Sequence, residues 1–270
     1  MREKSIDRLQ MKKIVMIPTE KEGPQDMIIL EQVLKSISPQ VDTILLEKNH
    51  KVNRKFGLAY SKIIPSNVVE LFYEKDKRYE KASVNNVGFQ YIEDNYDEPV
   101  FLMTLGDDCI PEKNYVSKMF NGAEEKTIYS PFISWIDYDY DLVQYIHVAG
   151  LRYPKHGSID IIPSLDYVMD NFNRLGSTLI INGVSGYIWD PKCGLREDPK
   201  YDGHWGYEDT DFKMQKIAAG YKIVPRPDIR FWHIQTKHKE GNRDSSAHNT
   251  PNRKYFEDKW TNYKSKKLVH

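Results

Sequence analysis

Cysteine is scarce in this sequence. The two thiols among 270 residues, Cys109 and Cys193, form no C-x-x-C pair and no metal-ligand spacing, which argues against a disulfide framework and suits a reducing compartment. No run of about 18 apolar residues occurs, so no segment reads as a membrane-spanning helix. The charged opening MREKSIDRLQMKK lacks the apolar stretch of a secretory signal. Neither charge is in excess, because 39 Lys and Arg balance 39 Asp and Glu. That removes any chain-wide attraction to nucleic acid or anionic lipid and leaves only local contacts. Repeats and low-complexity tracts are missing too. Together these absences predict a cytoplasmic protein, peripheral to a membrane at most. What is plentiful is tyrosine, 18 residues scattered along the chain, a composition that suits polar, ring-shaped ligands.

The length allows one large α/β domain or two small ones. KKIVMIPTE (12–20) is a short β-branched run halted by Pro18 and reads as a buried strand. Leu30, Val33, Leu34 and Ile37 recur at helical spacing and predict a helix over 26–37. VDTILLE supplies a second strand. Residues 65–96 read as helical segments, with Val84, Val87, Gly88 and Tyr91 in register, and EPVFLMTL supplies a third strand. This alternation predicts a mostly parallel sheet with helices on its faces. Ligands of such sheets sit beyond the carboxyl ends of the strands, where Gly106, Asp107 and Asp108 fall. Pro111 suits the first turn of a helix carrying Val116, Met119 and Phe120, and the chain reads as irregular over 130–180. STLIINGVSGYIWD is then a strand interrupted by Gly183 and Gly186, EDTDFKMQKIAAGY a helix ended by Gly220, and IRFWHIQ a late strand. Residues 236–252 have the composition of a flexible loop. In the last segment Phe256, Trp260 and Tyr263 predict a docked helix with a solvated basic face.

Three constellations can carry chemistry. Asp107 and Asp108 place two like charges at a strand end. They make either a polar turn before a proline or half of a site where a divalent cation meets a polyanion such as a diphosphate. In GHWGYEDTDF the acids Glu208, Asp209 and Asp211 open a helix, where the helix dipole alone favours them by about 0.3–1 kcal/mol each. A carboxylate there is equally placed to take a proton from an acceptor hydroxyl, and Trp205 to lie against a sugar ring. His233 shares a face with Ile229 and Phe231. It is either a core histidine or the nitrogen partner of Asp108 in a mixed oxygen and nitrogen cation site that suits Mn²⁺.

In their order, IVMIPTE, VDTILLEKN, NNVGF, FLMTLGDDCIP, GHWGYEDTDFKMQKIAAGYKI and FWHIQ resemble the family 2 type of glycosyltransferase with the GT-A, or nucleotide-diphospho-sugar transferase, fold. The resemblance spans about residues 12–235, and WGYEDTDF is its most specific part. It implies one GT-A domain over 1–270. Within it, 12–110 would form the nucleotide-sugar half and 111–235 the acceptor and catalytic half, with 236–270 a flexible loop plus a C-terminal helix. Pro18, Thr19 and Glu47 would border the nucleotide base, and Asn86 and Gly88 match an N-x-G element near the donor. Asp107 and Asp108 match the acidic DxD-type motif, Asp108 as metal ligand and Asp107 toward the donor ribose or sugar. Asp209 matches the catalytic base with Glu208 beside it, and His233 would complete the metal site. Gly183, Gly186 and Trp205 fall on the acceptor side. Two positions depart from the pattern: Gly106 stands where the family commonly has aspartate, and Glu47-Lys48-Asn49 replaces the usual acidic pair.

The expectation is therefore an inverting, hexosyltransferase-like enzyme using a nucleotide-diphosphate sugar, a UDP-sugar first, with Mn²⁺ or Mg²⁺. His238 and Arg243 would close the 236–252 loop over the diphosphate. The acceptor stays open between saccharide, protein and modified nucleic acid, as does the oligomeric state. The rivals are a retaining transferase on the same fold, a nucleotidyltransferase, and a non-catalytic carbohydrate-binding protein.

Overall fold

Both faces of the first strand are buried, and this sets the layering of the chain. The computed structural model describes residues 10–19, 24–49, 64–73, 80–137, 156–158, 184–203, 206–235 and 251–267. In β1 (Lys13–Thr19), Val15 and Ile17 pack into one apolar cluster and Ile14 and Met16 into another. β2 (Thr43–Asn49) divides the same way, with Ile44 and Leu46 against Leu45. Helix α1 (Pro24–Ile37) covers the first face with Leu30, Val33, Leu34 and Ile37, all fully buried. Burying such a side chain contributes roughly 1.5–3 kcal/mol. Helix α2 (Lys81–Asn95) covers the second face, where the Phe89 ring lies 5.0 Å from Trp189 and 5.1 Å from Phe212. Strands covered on both sides read as unbroken apolar runs, which is why these were visible in the sequence.

With β3 (Val68–Tyr73) and β4 (Val100–Thr104), the order β3-β2-β1-β4 is parallel throughout. From β4 the sheet becomes mixed. β8 (Ser185–Trp189) pairs antiparallel with β4 and with β6 (Thr127–Asp137). β6 runs parallel to β9 (Lys222–Gln235), which pairs antiparallel with β5 (Cys109–Pro111). β7 (His156–Ser158) adds to β6, making nine strands among the described residues. β4 and β5 are four strand spacings apart in this order, about 19 Å in a flat sheet. Only residues 105–108 connect them, and the Cys109 N–H bonds back to the Gly106 carbonyl at 3.0 Å. A tight turn of this kind brings its ends within about 7 Å, so the sheet has to curl.

Three expectations need correction. Residues 68–73 form a strand, at the sheet edge among the described residues, not helix: Val69 and Leu71 turn inward while Glu70 and Phe72 face out, the period of a strand. Pro111 ends β5 instead of opening a helix. Helix α3 (Tyr115–Phe120) starts after Asn114, whose φ of 64° makes the corner. Residues 130–137 are not irregular but continue β6 and pair along β9, with a register shift between Pro131 and Phe132. A proline hides such a strand in sequence, and a bulge accommodates it.

Helix α4 (Glu208–Ala218) ends before Gly220, at φ 91°, and the C-terminal α5 (Pro251–Lys267) docks beside it as expected. Phe256 and Trp260 pack with Met214 and Tyr201. Asp211, fully buried, holds this junction: it accepts from Trp260 Nε1 (2.9 Å), the Tyr201 hydroxyl (3.1 Å), Gln215 Nε2 (2.8 Å) and Lys259 Nζ (2.8 Å). Lys259 also pairs with Asp198 at 2.8 Å. Removing one partner of a buried pair typically costs about 3–5 kcal/mol. Asp211→Ala is therefore expected to lower unfolding stability by about that amount, read from urea denaturation; a loss under about 1 kcal/mol would show that the junction is not structural.

Candidate active site

The turn Gly106–Cys109 brings a carboxylate, a thiol and an imidazole together. Cys109 and His233 face each other in the β5–β9 ladder, and the Ile234 N–H bonds to the Asp108 carbonyl at 2.8 Å. Asp108, 6 % exposed, turns its Oδ1 to 3.4 Å from His233 Nε2, and the Cys109 thiol donates to the same oxygen at 3.5 Å. One donor atom from each of Asp108, Cys109 and His233 lies within 4.8 Å of the others. Burial, then the adjacent Asp108 carboxylate, pushes the Cys109 thiol well above its ordinary pKa. Oxygen and nitrogen donors at this spacing fit a divalent cation. Asp107 lies half-buried in the same turn.

A second cluster forms where α4 meets the first turn of α2. Tyr207, at φ 74°, turns the chain into α4 and presents Glu208 and Asp209 to Lys81, whose Nζ lies 3.1 Å from Glu208 Oε1 and 3.7 Å from Asp209 Oδ2. Burial alone would lower the Lys81 pKa, but Glu208, Asp209 and Glu197 outweigh it and hold the ammonium above its ordinary value. Asp209 keeps 27 % of its side chain exposed, and its Oδ1 accepts from the Thr210 N–H at 2.7 Å. Glu208 is buried, which raises its pKa against the pull of Lys81. Beneath it lies Glu197, clipped by Asn85 Nδ2 to Oε1 at 2.7 Å and by a two-way backbone bond with the Asn86 amide at 2.9 and 3.0 Å. Burial pushes the Glu197 carboxyl up to about 8 although Lys81 opposes this. The turn follows β4, and α2 begins on the side where β3 ends, so both clusters stand on the carboxyl edge of the parallel strands.

Comparison with solved structures places this architecture. GalNAc-T7, solved with UDP, GalNAc and Mn²⁺, matches over 95 % of this chain at a TM-score of 0.59 and 18 % identity. The fold is that of the GT-A nucleotide-diphospho-sugar transferases. The GT-A likeness covers 51 % of GalNAc-T7, so the chain spans about half the length of that protein. Residues 1–349 of S. aureus TarS align at a TM-score of 0.49 and 14 % identity, covering 83 % of this chain and 60 % of TarS. Glucosyl-3-phosphoglycerate synthase from Mycobacterium tuberculosis, solved with Mn²⁺, UDP and glucosyl-3-phosphoglycerate, aligns at 0.47 and 12 %, covering 86 % and 75 %. No protein-family model matches the sequence, and neither does any curated protein.

On this GT-A sheet Pro18 and Thr19 end β1, with Pro18 opposite Glu47 on β2. Glu47 is buried beneath α2, where among the described residues its carboxylate has no side-chain hydrogen-bond partner and lies against the Gly88 backbone. A Cβ on Gly88 would stand 1.8 Å from Glu47 Oε1, so that glycine makes room for the carboxylate. Burial and the nearby Glu197 charge push the Glu47 pKa well up. Asn86 is engaged with the Glu197 backbone, and Gly186 packs on Phe101, Met103 and Met119. Gly183, Trp205, His238 and Arg243 lie outside the described residues. Sequence reasoning missed Lys81, Asn85, Glu197 and Cys109. A thiol directly after two aspartates was a usable signal, whereas Lys81 meets Glu208 across 127 residues with nothing local to announce it.

A carboxyl whose pKa is raised on folding stabilises the protein fully below its unfolded value, 4.5 for Glu197, and loses that contribution as pH rises through about 8. The slope is at most about 1.4 kcal/mol per pH unit for one proton. Glu197→Gln keeps the amide oxygen facing Asn85 and cannot ionise. Its stability relative to wild type is expected to rise steadily from pH 5 to pH 8 in urea titrations; parallel pH profiles for the two proteins would show that Glu197 is ionised in the fold.

Proposed function

We propose that this protein transfers a sugar from a nucleotide-diphosphate sugar, a UDP-sugar first, to an acceptor hydroxyl with inversion at the anomeric carbon. One observation carries the reading. Asp108 with His233, and Asp209 with Lys81, stand as two separate charged centres on the ligand edge of a GT-A sheet. The UDP and Mn²⁺ seen with GalNAc-T7 support the choice of donor and ion.

In this reading residues 12–110 hold the donor and 111–235 shape the acceptor side. Asp108 and His233 hold the cation, Mn²⁺ or Mg²⁺, which when bound neutralises the leaving diphosphate. Asp209 is the general base. Its Oδ1 is committed to the Thr210 N–H, so Oδ2 takes the acceptor proton as the hydroxyl oxygen attacks in line. Lys81, 3.7 Å from that oxygen, fixes its orientation. Glu208, held by Lys81, aligns hydroxyls beside it. Pro18 and Thr19, at the carboxyl end of β1, border the base, with Glu47 beside Pro18 on β2.

Asp209→Asn is expected to lower the transfer rate by about 10²–10⁴-fold while leaving donor affinity within a factor of about two. Loss of donor binding instead would remove Asp209 from the role of base. Wild-type protein is expected to gain thermal stability from a UDP-sugar only when Mn²⁺ is present, equivalent to about 2.7 kcal/mol at a hundredfold excess over Kd. No shift across a panel of sugar nucleotides with Mn²⁺ would overturn the proposed activity.

A further inference from the structure

We propose that Cys109 is a third protein ligand of the cation, so that the site presents oxygen, nitrogen and sulfur and favours zinc-like ions over Mg²⁺. This rests on the reading of Asp108 and His233 as cation ligands. The ladder provides the geometry. The Ile234 N–H to Asp108 carbonyl bond marks residues 108 and 234 as the hydrogen-bonded pair, which makes Cys109 and His233 the closer, non-hydrogen-bonded pair on one face. The turn then swings the Asp108 carboxylate onto the same face.

The spacing agrees with a single ion. With metal bonds of about 2.1 Å to oxygen, 2.05 Å to nitrogen and 2.3 Å to sulfur, a tetrahedral ion separates oxygen from nitrogen by about 3.4 Å and oxygen from sulfur by about 3.6 Å. The protein shows 3.4 Å and 3.5 Å for these two separations, with nitrogen and sulfur within 4.8 Å of one another. Three protein ligands leave a fourth position for a substrate oxygen, the arrangement of reactive zinc sites. Of these donors His233 is more open to solvent than Asp108, with 20 % of its side chain exposed against 9 %.

Gly106 supports the assignment independently. A Cβ there would stand 2.8 Å from Asp108 Oδ1 and 3.0 Å from Cys109 Sγ. A side chain at 106 would thus crowd the donor atoms, and the glycine leaves the carboxylate and the sulfur clear. On binding, the S–H bond breaks, its proton passes to solvent, and the thiolate donates to the ion. Thiolate donors select Zn²⁺ and Co²⁺ over Mg²⁺.

Co²⁺ added to the metal-free full chain tests this, with absorption and calorimetry followed together. The expected result is one Co²⁺ bound with a near-ultraviolet sulfur-to-cobalt band, kept in Cys193→Ser and lost in Cys109→Ser. Calorimetric binding without the band would overturn the sulfur ligand and leave the Asp108–His233 site standing. Neither heat nor band would overturn both. A band that survives Cys109→Ser, or vanishes in Cys193→Ser, also overturns the assignment. The wild-type spectrum can overturn it alone if Cys109→Ser fails to fold.

Discussion

The turn between β4 and β5 constrains the rest of the structure. Residues 105–108 carry the chain from the parallel half of the sheet to its far end, and the hydrogen bond closing Gly106 to Cys109 shortens them further. A sheet held by such a link must wrap until β9 meets β5. Wrapping brings His233 to Asp108, residues 125 apart in sequence. The candidate cation site is thus a product of topology, and each donor sits on a paired strand or the turn leading into one. Donors held on paired strands are placed with little freedom left to lose on binding.

The chain also keeps many ionisable groups at least partly buried. Lys81, Glu197, Glu208 and Asp209 form one cluster, Asp198, Asp211 and Lys259 another, and Glu47 lies buried near the first. Buried ion pairs seldom add net stability, because desolvation offsets their attraction. Their use here is positional. α4 carries both clusters in its first turn, Glu208 and Asp209 toward α2 and Asp211 toward α5. The helix is clamped from two sides, and the clamps fix where Asp209 points.

The legible parts of the fold were those whose signal is local. β1, β2 and β4 showed as apolar runs because both faces are covered, and α1 because its stripe is complete. β3 did not, since Val69 and Leu71 alternate with exposed Glu70 and Phe72 over too few residues to stand out from the helical pattern that follows. β6 was concealed by Pro131, which reads as a breaker unless the neighbouring strand absorbs it through a bulge. In the candidate site, Asp108, His233, Glu208 and Asp209 were visible through motif order. Lys81, Asn85 and Glu197 were not, because each derives its meaning from a partner more than 100 residues away.

One such long-range contact concerns how the chain assembles. Helix α2 does not cap its own beginning: Glu80 makes no capping bond, and the free N–H groups of Ala82 and Ser83 are satisfied by the Asp202 carboxylate, 120 and 119 residues downstream. On a ribosome, the first half of the protein emerges long before that carboxylate exists. The opening turn of α2, which holds Lys81, therefore waits for the segment that precedes α4. The start of α2 is consequently completed by a residue from the later part of the chain, a long-range contact of the kind that forms late in folding.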